Sequence, residues 1–260
     1  MERYKDRIIR FYLSEPMSIQ TVAEVFDFCA QKIAQLLHDE GIPLYTREQM
    51  FSPYFRTDYF ENIDTPLKAY FLGFLFADGC VYTDGATPRL CFSLKEEDNY
   101  VLYTLKEELN TESDVSFSFR DNMCTLSITS EKLCSDLMCH GMTPHKETRT
   151  QPINIPEELT SHFIRGYFDG DGCICLRKSH DILHKRAVVS FAGKFELLSY
   201  IRDVLTKVGI SYKQVLEESK TYCVRWSAQK DVLIFANYIY SGDNIFALKR
   251  KTQIFLDYIS

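Results

Sequence analysis

Long apolar runs are missing from this chain. The roughly 18 uninterrupted apolar residues that a membrane span needs occur nowhere in its 260 residues, so no membrane association is expected. A secretory leader is not expected either, because the opening "MERYKDRIIRFYLSE" interleaves charged residues with its apolar ones. Cys-x-x-Cys pairs are absent too. The nine cysteines are scattered without zinc-ligand spacing or histidine partners, and an odd number does not close into a disulfide framework. The expected compartment is reducing and intracellular: cytoplasm in a prokaryotic or phage context, or an organelle. Excess positive charge is lacking as well. A net charge of −6 argues against a simple polyanion binder.

The distribution of charge says more than its sum. Residues 1–55 hold 6 Lys/Arg against 8 Asp/Glu, residues 56–150 hold 9 against 16, and residues 151–260 hold 15 against 12. If the chain grips nucleic acid, its C-terminal part should grip harder. A hydrophobic content of 45% and a charged content of 25% are ordinary for a globular chain, long enough for one large domain or two to three small ones.

Residues 1–50 read as short helices. "RYKDRIIRFYL" carries apolar residues at helical spacing, Glu15-Pro16 breaks it, and Ser18 is placed to cap the next helix. "IQTVAEVFDFCAQKIAQLL" then puts Val22, Ala23, Phe26, Phe28, Ile33 and Leu36 at buried positions around a turn at Asp27. This resembles a helix-turn-helix, with Ala23 where two helices cross closely. Asp27 stands where glycine is usual, and Asp accepts the left-handed conformation better than most residues. Gln31, Lys32 and Gln35 would be its DNA-facing donors. The face is not strongly basic, and a helical protein-interaction module is the alternative.

Residues 51–64 form an aromatic-rich linker, after which one order of signals, α-β-β-α-β-β-α, is written twice, over 65–150 and 151–260. In the first copy Thr65-Pro66 starts a helix running to Asp78. "CVYTD" and "RLCFSL" alternate as strands, residues 96–109 are amphipathic, "DVSFSFR" and "MCTLSIT" make a second hairpin, and "SEKLCSDLMCHG" closes the unit. The second copy follows suit, with strands in "CICLRK", "RAVVSF", "YKQVLE" and "TYCVRWS" and a last helix in "FALKRKTQIFLDYI".

The leading helix of each copy carries the chemistry. "FLGFLFADG" (71–79) and "FIRGYFDGDG" (163–172) align Gly73 with Gly166, Ala77 with Gly170 and Asp78 with Asp171. Within each helix the two small residues lie four apart, on one face. Two helices packed through Gly73, Ala77, Gly166 and Gly170 would bring Asp78 and Asp171 together at their C-terminal ends. There the macrodipole disfavours negative charge, and neighbouring carboxylates repel unless protonated or bridged by cations. Hard divalent ions, Mg²⁺ above all, supply that charge. A pair of them stabilises both oxygens of a phosphodiester displacement.

"LGFLFADG" and "IRGYFDGDG" resemble the two signature motifs of the LAGLIDADG homing endonucleases, in the form where one chain carries both. The resemblance covers residues 65–260 and extends to "GMTPHKE" and "NIFALKRK". It implies an α+β fold: a duplicated αββαββα saddle with pseudo-twofold symmetry, here preceded by the small all-α domain. It also implies a monomeric, site-specific double-strand DNA endonuclease. Such an enzyme cuts a long asymmetric target across the minor groove and leaves short 3′ overhangs. Its cofactor would be Mg²⁺, with Mn²⁺ or Ca²⁺ substituting in binding. Asp78 and Asp171 would ligate the metals with help from the carbonyls of Ala77 and Gly170, and Lys132 and Lys230 would assist cleavage. Glu96 and Gly193 stand where relatives position water. Asp169, at a variable motif position, is read as structural or solvated.

In such a saddle Leu90, Phe92 and Leu94 point toward the helices, and Arg89, Cys91 and Ser93 point outward. The outward, DNA-binding set continues with Ser116, Ser118, Arg120, Thr125 and Ser127, then Arg177, Ser179, Arg186, Ser190 and Arg225. The basic runs at 176–178, 184–186 and 248–251, which include Lys178, Lys249 and Lys251, are expected on phosphates. A cleavage-inactive DNA-binding regulator or an RNA maturase of the same fold is the alternative; the presence of both Asp78 and Asp171 speaks against it. An intein is not expected from ends reading Met-Glu and "DYIS".

Overall fold

The computed structural model describes residues 4–14, 16–45, 55–144, 152, 154–177, 186–219, 221–242 and 245–259. Lys178, Ser179, and the parts of the basic runs and linkers at 46–54, 145–151 and 178–185 lie outside the described residues. The chain forms two compact units, Met1–Arg56 with Lys106–Ser113, and Thr57–Leu105 with Asp114–Ser260. Each is described by itself.

The first unit contains helices α1 (Lys5–Ser14), α2 (Ile19–Phe26) and α3 (Ala30–Asp39). Ser18 caps α2 by accepting from the Thr21 amide at 3.0 Å. Asp27 ends α2 in the left-handed conformation (φ 55°, ψ 47°), the geometry its sequence position asks for. Ile8, Tyr12, Val22, Ala23, Ile33 and Leu37 form the core, with Phe26 and Phe28 packed at its margin. Gln31, Lys32 and Gln35 are exposed on α3.

The second unit is the duplication. Thr65 caps α4 (Pro66–Asp78), accepting from the Lys68 amide at 3.2 Å, with Pro66 in the first turn, where its missing N–H costs nothing. Next come β1 (Gly79–Tyr82), β2 (Arg89–Lys95), α5 (Asn99–Leu109, whose residues from Lys106 on belong to the first unit), β3 (Val115–Ser118), β4 (Met123–Thr129) and α6 (Glu131–Cys139). The second copy holds α7 (Thr160–Asp171), β5 (Gly172–Arg177), β6 (Arg186–Gly193), α8 (Phe195–Lys207), β7 (Leu216–Glu218), β8 (Thr221–Trp226), α9 (Gln229–Tyr240) and α10 (Lys249–Ile259). Each copy folds its strands into one antiparallel sheet, β1-β2-β4-β3 and β5-β6-β8-β7. Burial alternates along β2 and β4, so one face of the first sheet covers its helices and the other faces outward.

One expectation is corrected. The strand expected in "YKQVLE" is only Leu216–Glu218, and the chain just ahead of that segment is held at Ser211 by the side chains of Asp231 and Trp226. The Ser211 amide donates to Asp231 at 3.0 Å, and the Ser211 carbonyl accepts from Trp226 Nε1 at 2.8 Å. In the second half of the linker Tyr59, Phe60 and Ile63 are buried, and the Phe60 carbonyl lies 2.8 Å from His140 Nε2. Aromatic side chains of that size are worth burying.

Candidate functional site

Helices α4 and α7 touch backbone to backbone. A Cβ on Gly73 would overlap the Phe163 carbonyl oxygen and lie 2.9 Å from the Tyr167 amide nitrogen. Reciprocally, a Cβ on Gly166 would overlap the Tyr70 carbonyl oxygen and lie 2.8 Å from the Phe74 amide nitrogen. Tyr70 and Phe163 occupy matching places in the two motifs, so the contact obeys the pseudo-twofold. One turn on, the Gly170 Cβ position is filled by the Ala77 methyl and lies 3.1 Å from Asp78 Oδ2. The small residues therefore bring the Asp78 carboxylate across the seam, over the end of the opposite helix. Asp78 is half-buried and Asp171, the last residue of α7, is exposed.

These donors suit a hard cation. They are carboxylate and carbonyl oxygens, and among the described residues no group of three or more His, Cys, Asp or Glu side chains gathers as a closed metal cage. Carboxylate and carbonyl oxygens are the donors that hard divalent ions take, and such ions keep water and substrate phosphate in their shell.

Beneath the seam lies a buried polar network. Lys251, expected on a DNA phosphate, is only 5% exposed. Its ammonium donates to the carbonyls of Phe168 (2.6 Å), Asp169 (2.7 Å) and Gly172 (2.6 Å), with a longer approach to that of Gly170 (3.4 Å). Burial pushes its pKa down to about 8, while Asp169 and Asp78 resist the fall. Helical rotation of about 100° per residue separates it from its exposed neighbours Lys249 and Arg250, which sequence adjacency alone had grouped with it. Asp169 is structural and buried rather than solvated, accepting from the Tyr70 hydroxyl (2.9 Å) and the Leu248 amide (2.8 Å). Burial raises its pKa to about 6. Arg165, which no sequence signal singled out, is 2% exposed and donates to the carbonyls of Ile239 (2.7 Å) and Phe246 (3.1 Å).

The described part of the outward set lies on both sheets except for Arg120, which the early end of β3 at Ser118 leaves in the following turn, while Lys132, Lys230 and Glu96 lie on helical turns. Ser93 and Thr125 are cross-strand partners with hydroxyls 2.7 Å apart, and Cys91 and Ser127 are 3.4 Å apart. Ser116 donates to the Thr125 carbonyl at 3.2 Å, while Arg89, Ser118 and Arg120 are exposed. Arg186 pairs with Arg177 in register, and Ser190 lies between Cys173 and Arg225. The Arg225 guanidinium is engaged by both oxygens of Glu218, at 2.7 and 2.5 Å. Lys132 is clasped by Glu61 (2.8 Å) and Asp136 (2.7 Å), whereas Lys230 is exposed in the first turn of α9. Glu96 is exposed on a 3₁₀ turn. Gly193 carries no side chain, and one there would collide with the Tyr167 hydroxyl, which donates to the Ala192 carbonyl at 2.8 Å.

His162, on the same motif helix, is expected to give the fold a pH dependence. Its Nδ1 is buried with no hydrogen-bond partner among the described residues, and burial, then Arg165, push its pKa from 6.5 down to about 4. The unfolded chain therefore takes up a proton in a range where the folded chain does not. The stability involved is intact above about pH 6.5 and lost as pH falls toward 4. With the group only half-buried, about 1–2 kcal/mol is expected. Urea unfolding at pH 7 and pH 4.5 should show a smaller acid loss for His162→Asn than for the parent; parallel losses would remove His162 as the cause.

No family model matches the sequence, and no curated protein matches it. Solved structures do share its architecture. The I-LtrWI LAGLIDADG homing endonuclease bound to target DNA is 10% identical, with a TM-score of 0.54 over 78% of this chain and 89% of its own. The I-AabMI LAGLIDADG meganuclease bound to uncleaved DNA is 14% identical, with a TM-score of 0.54 over 75% and 89%. I-DmoI in complex with DNA and calcium is 18% identical, with a TM-score of 0.51 over 74% and 97%. The fold is that of the LAGLIDADG homing endonucleases.

Proposed function

We propose that this chain is a site-specific double-strand DNA endonuclease of the LAGLIDADG type. The observation that carries the reading is the seam: two like helices meet at Gly73 and Gly166 with no side chain between them, and each ends in an aspartate, Asp78 or Asp171. Divalent metal, held by these carboxylates with the carbonyls of Ala77 and Gly170, would supply positive charge to the attacking and leaving oxygens of a phosphodiester. Asp78 and Asp171 concentrate negative charge where that ion is needed. Lys230 is exposed and would be available to a scissile phosphate, whereas Lys132 would first have to leave Glu61 and Asp136. The two halves are therefore expected to act unequally.

The outward sheet faces, with the turn that carries Arg120, would supply the recognition. Arg89, Arg120, Arg186 and Arg225 suit guanine edges, and Ser93, Ser116, Ser118, Thr125, Ser127 and Ser190 are tolerant partners. Arg225 would exchange Glu218 for a base or phosphate. Lys249, together with the basic residues around 177–186, is better matched to the backbone of the duplex. The helix-turn-helix unit would lengthen the footprint, fitting a long asymmetric site read by a monomer.

The test is a nicking assay. Purified full-length protein is incubated with supercoiled plasmids carrying long genomic inserts from around its own coding locus, with Mg²⁺ or with chelator. Mg²⁺-dependent linearisation at one or few positions is expected. Retained DNA binding without nicking in Mg²⁺ or Mn²⁺ would reject the enzyme, leaving a cleavage-inactive regulator or RNA maturase.

A further inference from the structure

We propose that Lys251 is a built-in counter-cation of the motif seam, holding the end of α7 and balancing Asp78 before any divalent ion arrives. It rests on the metal-dependent reading above and goes beyond it by assigning a positioning residue from outside both motifs. The last carbonyls of α7 lie at the negative pole of the helix, where intrahelical donors run out, although that of Phe168 also accepts from the Gly172 amide. To that pole are added the buried carboxylate of Asp169 and, from across the seam, that of Asp78. Left alone, such a cluster would push the two helices apart. The Lys251 ammonium reaches it from α10, takes three carbonyls at 2.6–2.7 Å, and approaches at 3.4 Å the carbonyl of Gly170, whose Cβ position lies 3.1 Å from Asp78 Oδ2. A cation this deeply buried is tolerated only when its desolvation is offset by well-placed partners, which these carbonyls and carboxylates provide. The α10 backbone is tied to the same point, since the Leu248 amide donates to Asp169 at 2.8 Å. Lys251 thus orients the Gly170 carbonyl and keeps Asp78 and Asp171 poised together while the ion is absent.

The test is a thermal-melting cycle on the full chain, using Lys251→Met, Asp78→Asn and the double variant, each with chelator, with Mg²⁺ and with Ca²⁺. In chelator, Lys251→Met should melt well below the parent, and the added Asp78→Asn should recover part of the loss, because no unbalanced carboxylate remains there. Divalent ion should raise the melting temperature of Lys251→Met by at least about twice the shift seen in the parent, since the ion takes over the missing charge. If Lys251→Met does not fold in chelator, the double variant decides: folding supports the proposal, and failure to fold overturns it. A loss in Lys251→Met that is the same with and without metal, and additive with Asp78→Asn, would also overturn it and leave an ordinary helix cap. If no protein responds to metal, the endonuclease reading fails, while the chelator arm still decides the role of Lys251.

Discussion

Gly166→Ala should melt about 6–12 °C below the parent protein, and Gly73→Ala should do the same. One methyl is enough, because the atoms it would strike are backbone. The new Cβ would overlap the Tyr70 carbonyl in one case and the Phe163 carbonyl in the other. Neither helix can swing aside, since Ala69–Ala77 and Phe163–Asp169 are buried without a break. Overpacking of flexible side chains costs about 1–3 kcal/mol, and rigid carbonyls place this case at or above the upper end. Near 3 kcal/mol, a chain of this size loses about 2–4 °C per kcal/mol. Gly85→Ala is the control: its Cβ would meet nothing nearer than the Thr87 carbonyl at 3.7 Å, and its melting temperature should barely move. A Gly166→Ala protein melting with the parent would mean that the helices are not in contact there.

Asp78→Asn or Asp171→Asn should abolish double-strand cleavage in the nicking assay while leaving DNA affinity within a few-fold of the parent. Loss of partners that merely support a metal ligand typically costs 10–100-fold, and loss of the ligand's own charge should exceed that. Shape is preserved, so the surfaces proposed to meet DNA are untouched. Stability separates this result from unfolding. A carboxylate at the negative end of a helix costs about 0.3–1 kcal/mol, so Asp171→Asn should melt no lower than the parent. An Asp171→Asn protein that still cut both strands at a near-parental rate would remove this aspartate from the chemistry.

Much of this was legible in the residues themselves. The duplication, the small residues four apart and the acids that end both motif helices are local patterns, readable wherever a period of 3.6 or 2 holds. The Ser18 and Thr65 caps and the left-handed Asp27 belong with them, each determined by a residue and its nearest neighbours. What the local pattern left open was which polar groups turn inward. "LKRK" offers three cations in a row, and only the packing of α10 on the end of α7 selects Lys251 for burial and leaves Lys249 and Arg250 exposed. Asp169 is made structural by Tyr70, a residue of the other motif helix that it meets only once the two helices close on each other. Lys132 finds Glu61, and Arg165 finds the carbonyls of Ile239 and Phe246, likewise across long stretches of chain. Period and propensity act over a few residues, whereas the partner of a buried charge is settled by the packing that encloses it, because water no longer competes for it and only the groups folded against it remain.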